Sequence, residues 1–261
     1  MTTDDFIIEL FCRIDNVIGH LPKHSQAKLY PSEITTLAVL YSLRGGGKRA
    51  FCRWISRDHS ASFPELPHRT RLFRLFVAHQ DWARLFLEDP TVLGVIDSYG
   101  IELLHPVREG RSAQQIGRKG VSNRRWIVGG KFCLLLNQFG LIVNFDCDTA
   151  NEHDTIFQPL IRLYEDRMIV LSDNGFHAET GDPANLKVCQ VKRWNDRMVI
   201  ETVSSMLTLI SGFKHMRDRV WAYFEAHLSF AVAAFNLLVQ WHGFQPNENG
   251  FIPLSIAEFS L

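Results

Sequence analysis

No two cysteines in this chain stand close enough to make a CxxC pair. The five that occur, Cys12, Cys52, Cys133, Cys147 and Cys189, are scattered through apolar runs. That excludes a thiolate-paired zinc module and reads as reduced core cysteines of an intracellular protein. An excess of charge of one sign is also missing. Lys and Arg total 28 and Asp and Glu total 28, so the molecule is not a generic polycation. There is no P-loop and no dinucleotide fingerprint, and a nucleotide cofactor is not indicated. No GxSxG elbow surrounds Ser98 or Ser172, which argues against a serine hydrolase using His177. The amino terminus, MTTDDFIIELF, is acidic where a secretory signal is basic. The most apolar stretch, 229–239, is shorter than a bilayer span. The expectation is a soluble cytoplasmic protein with no membrane partner.

What is present is a chain of 261 residues, 46% of them apolar, enough for a substantial core. Residues 1–90 read as a helical amino-terminal domain. Phe6, Ile7, Leu10, Phe11, Ile14 and Val17 recur at helical spacing. Ser32 is placed to cap a second helix carrying Ile34, Leu37, Ala38, Leu40 and Tyr41. A third helix is expected through Phe51, Trp54 and Ile55, after the glycines at 45–47. From 91 to 261 the pattern changes. A short strand over 91–96 ends at Asp97. Strands over 126–136 and 141–145 are joined by a turn at 137–140. A helix follows over 154–164, then a strand over 168–171 leading to Asp173, and another over 186–191. Asn195 is placed to cap a helix whose face carries Val199, Val203, Met206, Leu207 and Ile210, and a last helix covers 220–241. This order predicts an α/β fold, a mixed sheet flanked by helices.

Three acids carry the chemistry. Asp97 and Asp173 each follow an apolar strand, and Glu201 sits on the polar stripe of a helix with Arg197, Ser205 and Thr208. Phosphodiester bonds repel nucleophiles by their own charge, and two cations about 3.5–4 Å apart overcome this by clamping the attacking and leaving oxygens. Magnesium takes oxygen ligands, so a few convergent carboxylates suffice. Asp146, Asp148, His153 and Asp154 form a second acidic group. It reads as a strand-end turn in which Asp154 caps the next helix, although Asp148 or Asp154 is an alternative ligand.

Basic residues gather in two places. Arg108, Arg111, Arg118, Lys119, Arg124, Arg125 and Lys131 crowd one glycine-rich stretch, a candidate clamp for DNA phosphates. Arg44, Lys48, Arg49 and Arg53, with Arg57 beyond them, lie on short helices of the amino-terminal part and are candidates for recognising a DNA end.

The strings YPSEITTLAVL near residue 30, ELPHRTRLFRLF from 65, VIDSYGIELLHPVREGRS from 95, DTANEHD ending at 154, LSDNGF from 171 and RMVIETVSSMLT from 197 resemble the DDE transposases of bacterial insertion sequences, over nearly the full length. The most specific is Arg197-x3-Glu201 followed by Thr-Val-x-Ser. The resemblance implies an RNase H-like catalytic core over 91–261, with Asp97, Asp173 and Glu201 as catalytic metal ligands. It implies two Mg²⁺ (or Mn²⁺) ions, and as partners the element's terminal inverted repeats and target DNA. It implies a homodimer or larger assembly on DNA. In that chemistry water first frees a 3′-hydroxyl, which then attacks the target. Arg197 and Lys131 are the candidate phosphate contacts near the acids. The chain departs from many relatives in having Thr208 where they carry Lys or Arg, and Gly130-Lys131-Phe132-Cys133 where others have an aromatic-Lys-Leu-His run. Two other readings stand beside this one: a metal-dependent nuclease without strand transfer, and a DNA-binding relic without catalysis.

Overall fold

The computed structural model describes residues 2–122, 124–189, 197–213 and 216–243, with the backbone alone at 197–199 and 209–211. The first part is helical. Helix α1 (Thr3–Ile18) starts in a capping box: Thr2 Oγ1 accepts from Asp5 N at 3.2 Å, and Asp5 Oδ2 accepts from Thr2 N at 2.9 Å. Its one apolar face, Phe6, Ile7, Leu10, Ile14 and Ile18, is buried, as the periodicity predicts. Helix α2 (Pro31–Arg44) begins on Pro31, which needs no N–H partner there. Tyr30 occupies the cap position expected of Ser32, and Ser32 Oγ instead donates to Asp15 Oδ1 at 2.5 Å. Proline one residue earlier is the better first-turn residue, so the helix starts sooner. Helices α3 (Lys48–Asp58) and α4 (Arg69–Ala78) and a 3-10 segment, Gln80–Phe86, complete this part.

A mixed sheet follows. Strand β1 (Leu93–Leu104) pairs antiparallel with β3 (Arg125–Asn137). The far side of β3 is shared: β2 (Arg118–Ser122) takes residues 125–129 and β4 (Ile142–Thr149) takes 130–136, both antiparallel. On its other side β1 pairs in parallel with β5 (Ile169–Ser172), and β5 in parallel with β6 (Leu186–Val188). Between β4 and β5 lie a 3-10 turn, Asp154–Phe157, and helix α5 (Gln158–Arg162). Helices α6 (Arg197–Ser211) and α7 (Trp221–His242) end the described chain. The molecule is thus mixed α/β, its mixed sheet flanked by helices.

One expectation about β1 fails. The strand does not stop at Asp97 but continues to Leu104, because Ser98, Tyr99, Gly100 and Ile101 keep their partners Cys133, Phe132, Lys131 and Gly130 on β3. Asn195, the expected cap of α6, lies outside the described residues, as do the side chains of Val199 and Ile210.

Alternation along the strands divides the core in two. Val95, Ile101, Leu103, Phe132, Leu134 and Leu136 join one cluster with α6, α7 and the amino-terminal helices. Ile96, Cys133, Leu135 and Val143 join another with Phe157, Ile161, Met168 and Phe176. Helix α7 is the hub of the first. By length and composition it could cross a membrane, but 83% of its apolar window is buried within the protein. Its Asn236, fully buried, donates to Phe86 O at 3.0 Å and Ile142 O at 2.7 Å and accepts from Ile142 N at 3.0 Å. One amide thereby satisfies backbone groups of β4 and the 3-10 segment, each of which would cost about 1–3 kcal/mol if left unpaired.

Candidate functional site

The carboxylates are set by strand register. Leu93, Gly94 and Val95 of β1 face Ile169, Val170 and Leu171 of β5. Continuing that parallel register by two residues brings Asp97 level with Asp173. Both are half-buried. Asp97 Oδ1 accepts from Ser98 N at 2.8 Å. Asp173 comes directly after β5, as the sequence predicts, and caps the short turn Asn174–Phe176, its Oδ1 accepting from Gly175 N at 2.9 Å.

Glu201 approaches from α6. Ile200, Val203, Met206 and Leu207 bury one face of that helix, which packs against β1, and leave Glu201 and Ser205 exposed on the other. A cavity of about 300 Å³ opens between helix and sheet, with Asp97 and Tyr99 on one wall and Glu201, Ser204 and Thr208 on the other. Asp173 is not among its lining residues. The donors are carboxylate oxygens, the kind a hard cation takes. Among the described residues, however, no three His, Cys, Asp or Glu side chains are grouped to hold a metal ion. The structure thus places Asp97 and Glu201 on one cavity and Asp173 at the end of the strand that pairs with β1.

A fourth acid belongs to this place. Asp154 was expected to cap the following helix, but His153 does so, its Nδ1 accepting from Thr155 N. That leaves the Asp154 carboxylate to turn inward. Its Oδ1 accepts from Ser98 Oγ at 2.5 Å and from Lys131 Nζ at 2.8 Å. A side-chain carbon placed on Gly175 would lie 2.6 Å from Asp154 Oδ2 and 3.0 Å from Asp173 Oδ1. Glycine at 175 is therefore what lets the two carboxylates share that space. The motif LSDNGF contains this glycine.

Buried Cys133 reports the field of the acids. Burial pushes its thiol well up, and the charges of Asp154, Asp97 and Asp146 push it further, with Lys131 opposing. Nearby, Glu225 of α7 is raised by burial and by repulsion from Asp146 and Asp148. Those two acids sit on β4, where Asp148 faces Lys131 and Asp146 faces Cys133.

The basic residues divide by partner. Lys48 Nζ lies 3.0 Å from buried Asp218 Oδ1 and 3.5 Å above the Tyr223 ring. Its charge joins the start of α3 to Asp218, ahead of α7, and to Tyr223 on α7. Arg44 stacks over Trp54 at 4.3 Å. Lys119 pairs with Glu109 at 2.9 Å and Arg125 with Glu102 at 3.7 Å, both at the surface. Arg49, Arg53, Arg108, Arg111, Arg118 and Arg124 have no ion pair among the described residues. Part of this basic stretch is the β2–β3 hairpin, with Arg124 in the left-handed region, φ 63°. Arg49, Arg53, Arg57 and Arg69 surround a cavity of about 610 Å³ beside α3. Arg197 begins α6, and its side chain lies outside the described residues.

No protein-family model matches the chain, and no solved structure matches it. A stretch of 69 residues, 26% of the chain, is 38% identical to a probable metalloreductase, AIM14, of Clavispora lusitaniae. The chain matches only 13% of that protein's length, so the likeness is confined to a segment.

Proposed function

We propose that this protein is a DNA transposase of the DDE type, with an RNase H-like core whose acids Asp97, Asp173 and Glu201 hold two Mg²⁺ or Mn²⁺ ions. The observation that carries the reading is the pair of juxtapositions around Asp97. Asp173 directly follows the neighbouring parallel strand, level with Asp97 when the β1–β5 register is extended by two residues, and Glu201 faces Asp97 across one cavity. The order of antiparallel β4, β3 and β1 followed by parallel β5 and β6 supports the core assignment.

Asp97, Asp173 and Glu201 would hold the cations, which would supply positive charge for an in-line displacement at phosphorus. The chain's own residues do the rest. Asp97 and Asp173 present oxygens from the rigid sheet, and Glu201 supplies one from a longer, exposed side chain. Lys131, held by Asp154, offsets part of the acids' mutual repulsion. Arg108, Arg111, Arg118 and Arg124 meet the phosphate backbone. Lys119 and Arg125 join them readily, since their exposed ion pairs contribute only about 0–1 kcal/mol. The enzyme acts on DNA in the cytoplasm, as a homodimer or larger assembly that brings two element ends together.

The test uses a plasmid carrying the DNA that flanks the reading frame. With Mg²⁺ or Mn²⁺ the wild type is expected to cut at the element's ends and join them to a target. Asp97→Ala, Asp173→Ala and Glu201→Ala are expected to lose cutting while keeping DNA binding in a gel shift. Cutting without joining assigns a nuclease instead. A wild type that binds and never cuts assigns a relic. Alanine variants that cut at the wild-type rate sink the metal-ligand assignment.

A further inference from the structure

We propose that a cavity of about 760 Å³ in the helical part, which shares no lining residue with the cavity of the acids, binds a single unpaired nucleotide of DNA. The cavity is walled by the connection leading into α2, by α4 with the segment before it, and by the 3-10 segment that follows. Its volume falls in the range of about 300–1,000 Å³ typical of small-ligand sites. The proposal stands on this cavity alone and does not depend on the carboxylate chemistry.

Three features select the occupant. First, the lining carries Lys23, Lys28 and Arg71 and no Asp or Glu, so it favours an anion. Lys28 also touches Glu65 at 3.4 Å, but both side chains are largely exposed, and such a pair yields easily to a phosphate. Second, two of the three histidines of the lining, His24 and His68, carry a donor. His24 Nδ1 accepts from Gln26 N at 3.2 Å and His68 Nδ1 from Thr70 N at 3.4 Å. A neutral ring whose Nδ1 accepts carries its proton on Nε2. Both rings line the cavity and therefore carry an Nε2 N–H that a phosphate oxygen could accept from. Third, the lining has an aromatic plane. His79 and Trp82 stack with centroids 4.0 Å apart and planes 13° from parallel. Burial and the charge of Arg71 hold His79 below its ordinary pKa, which favours the uncharged ring at neutral pH.

Donors for a phosphate beside a flat aromatic surface suit a nucleotide, with its base stacked and its phosphate bound. A paired base in a duplex has no exposed face, so the nucleotide has to be unpaired, as at a single-stranded tail or a frayed end. An acidic peptide would use the cations and leave the ring plane idle.

The experiment measures the binding of fluorescently labelled pentathymidylate to the full chain by anisotropy. Trp82→Leu and Arg71→Ala are each expected to raise Kd about tenfold. His79→Phe, which keeps the plane, is expected to bind like the wild type. Arg71 is exposed, so its variant decides the matter if Trp82→Leu does not fold. Pentathymidylate affinity within about twofold of wild type in Arg71→Ala overturns the proposal. An equal loss of affinity for a blunt duplex also overturns it, because that marks a general phosphate surface. So does displacement of the oligonucleotide by polyglutamate at matched charge.

Discussion

Lys131 Nζ stands 2.8 Å from Asp154 Oδ1, and both side chains are mostly buried. The lysine comes from the middle of β3 and the aspartate from the turn after β4, so the ion pair ties the sheet to the segment that leads into α5. On the same oxygen Ser98 Oγ donates from β1. Asp154 is thus fixed from two strands at once, with its other oxygen directed toward the glycine beside Asp173.

Removing the lysine's charge is therefore expected to strand the carboxylate. Lys131→Met should lower stability by about 1–3 kcal/mol in urea unfolding. Asp154→Asn alone should cost as much or less, and the double variant less than the sum of the two, since the lysine and aspartate are coupled. Strict additivity would show that the pair contributes nothing as a pair.

Gly175→Ala tests the crowding at the acids. The added carbon meets Asp154 Oδ2 at 2.6 Å, closer than such contacts occur, and Asp154 is pinned by its two donors. The carboxylates of Asp154 and Asp173 have to move apart. DNA cutting is expected to fall about a hundredfold, the effect of a displacement of roughly 1 Å at a reacting centre, with the circular dichroism spectrum unchanged. Cutting at the wild-type rate would show that the spacing of these acids is irrelevant to the activity.

The core junction of α3 and α7 gives a pH signature. Burial raises the carboxyl of Asp218, but its hydrogen bond to His227 and the charges of His227 and Lys48 outweigh burial and hold it below its ordinary value of 3.8. A carboxyl lowered by folding contributes stability that is fully present above its unfolded pKa and is lost as pH falls through the folded one. Stability measured by denaturant titration should decline as the pH drops below about 4. Asp218→Asn should flatten that part of the profile, and an unchanged slope would place the acid sensitivity in other carboxyls.

Much of the secondary structure was legible because it is local. The periodicity of Phe6, Ile7, Leu10 and Ile14 gave α1, the turn at 137–140 gave the β3–β4 hairpin, and the apolar run before Asp173 gave β5 and its capping acid. Glu201 was legible as the exposed face of a helix whose Val203, Met206 and Leu207 are buried. Asp154 was misread for an equally local reason: an aspartate before an apolar helix is most often a cap, and nothing in the string shows that His153 takes that hydrogen bond. The tie of Lys48 to Asp218 was not legible, because the two are remote in sequence.

The string of residues by itself determined most of the helices, several of the strands, the change from helix to sheet near residue 90 and the identity of the candidate acids. The tertiary structure decided which acids are neighbours, that β1 runs on past Asp97, and which cations are engaged in the core. Helix and strand periods are written in short windows of sequence, whereas strand register and the reach of a side chain to a distant partner exist only once the pieces have packed.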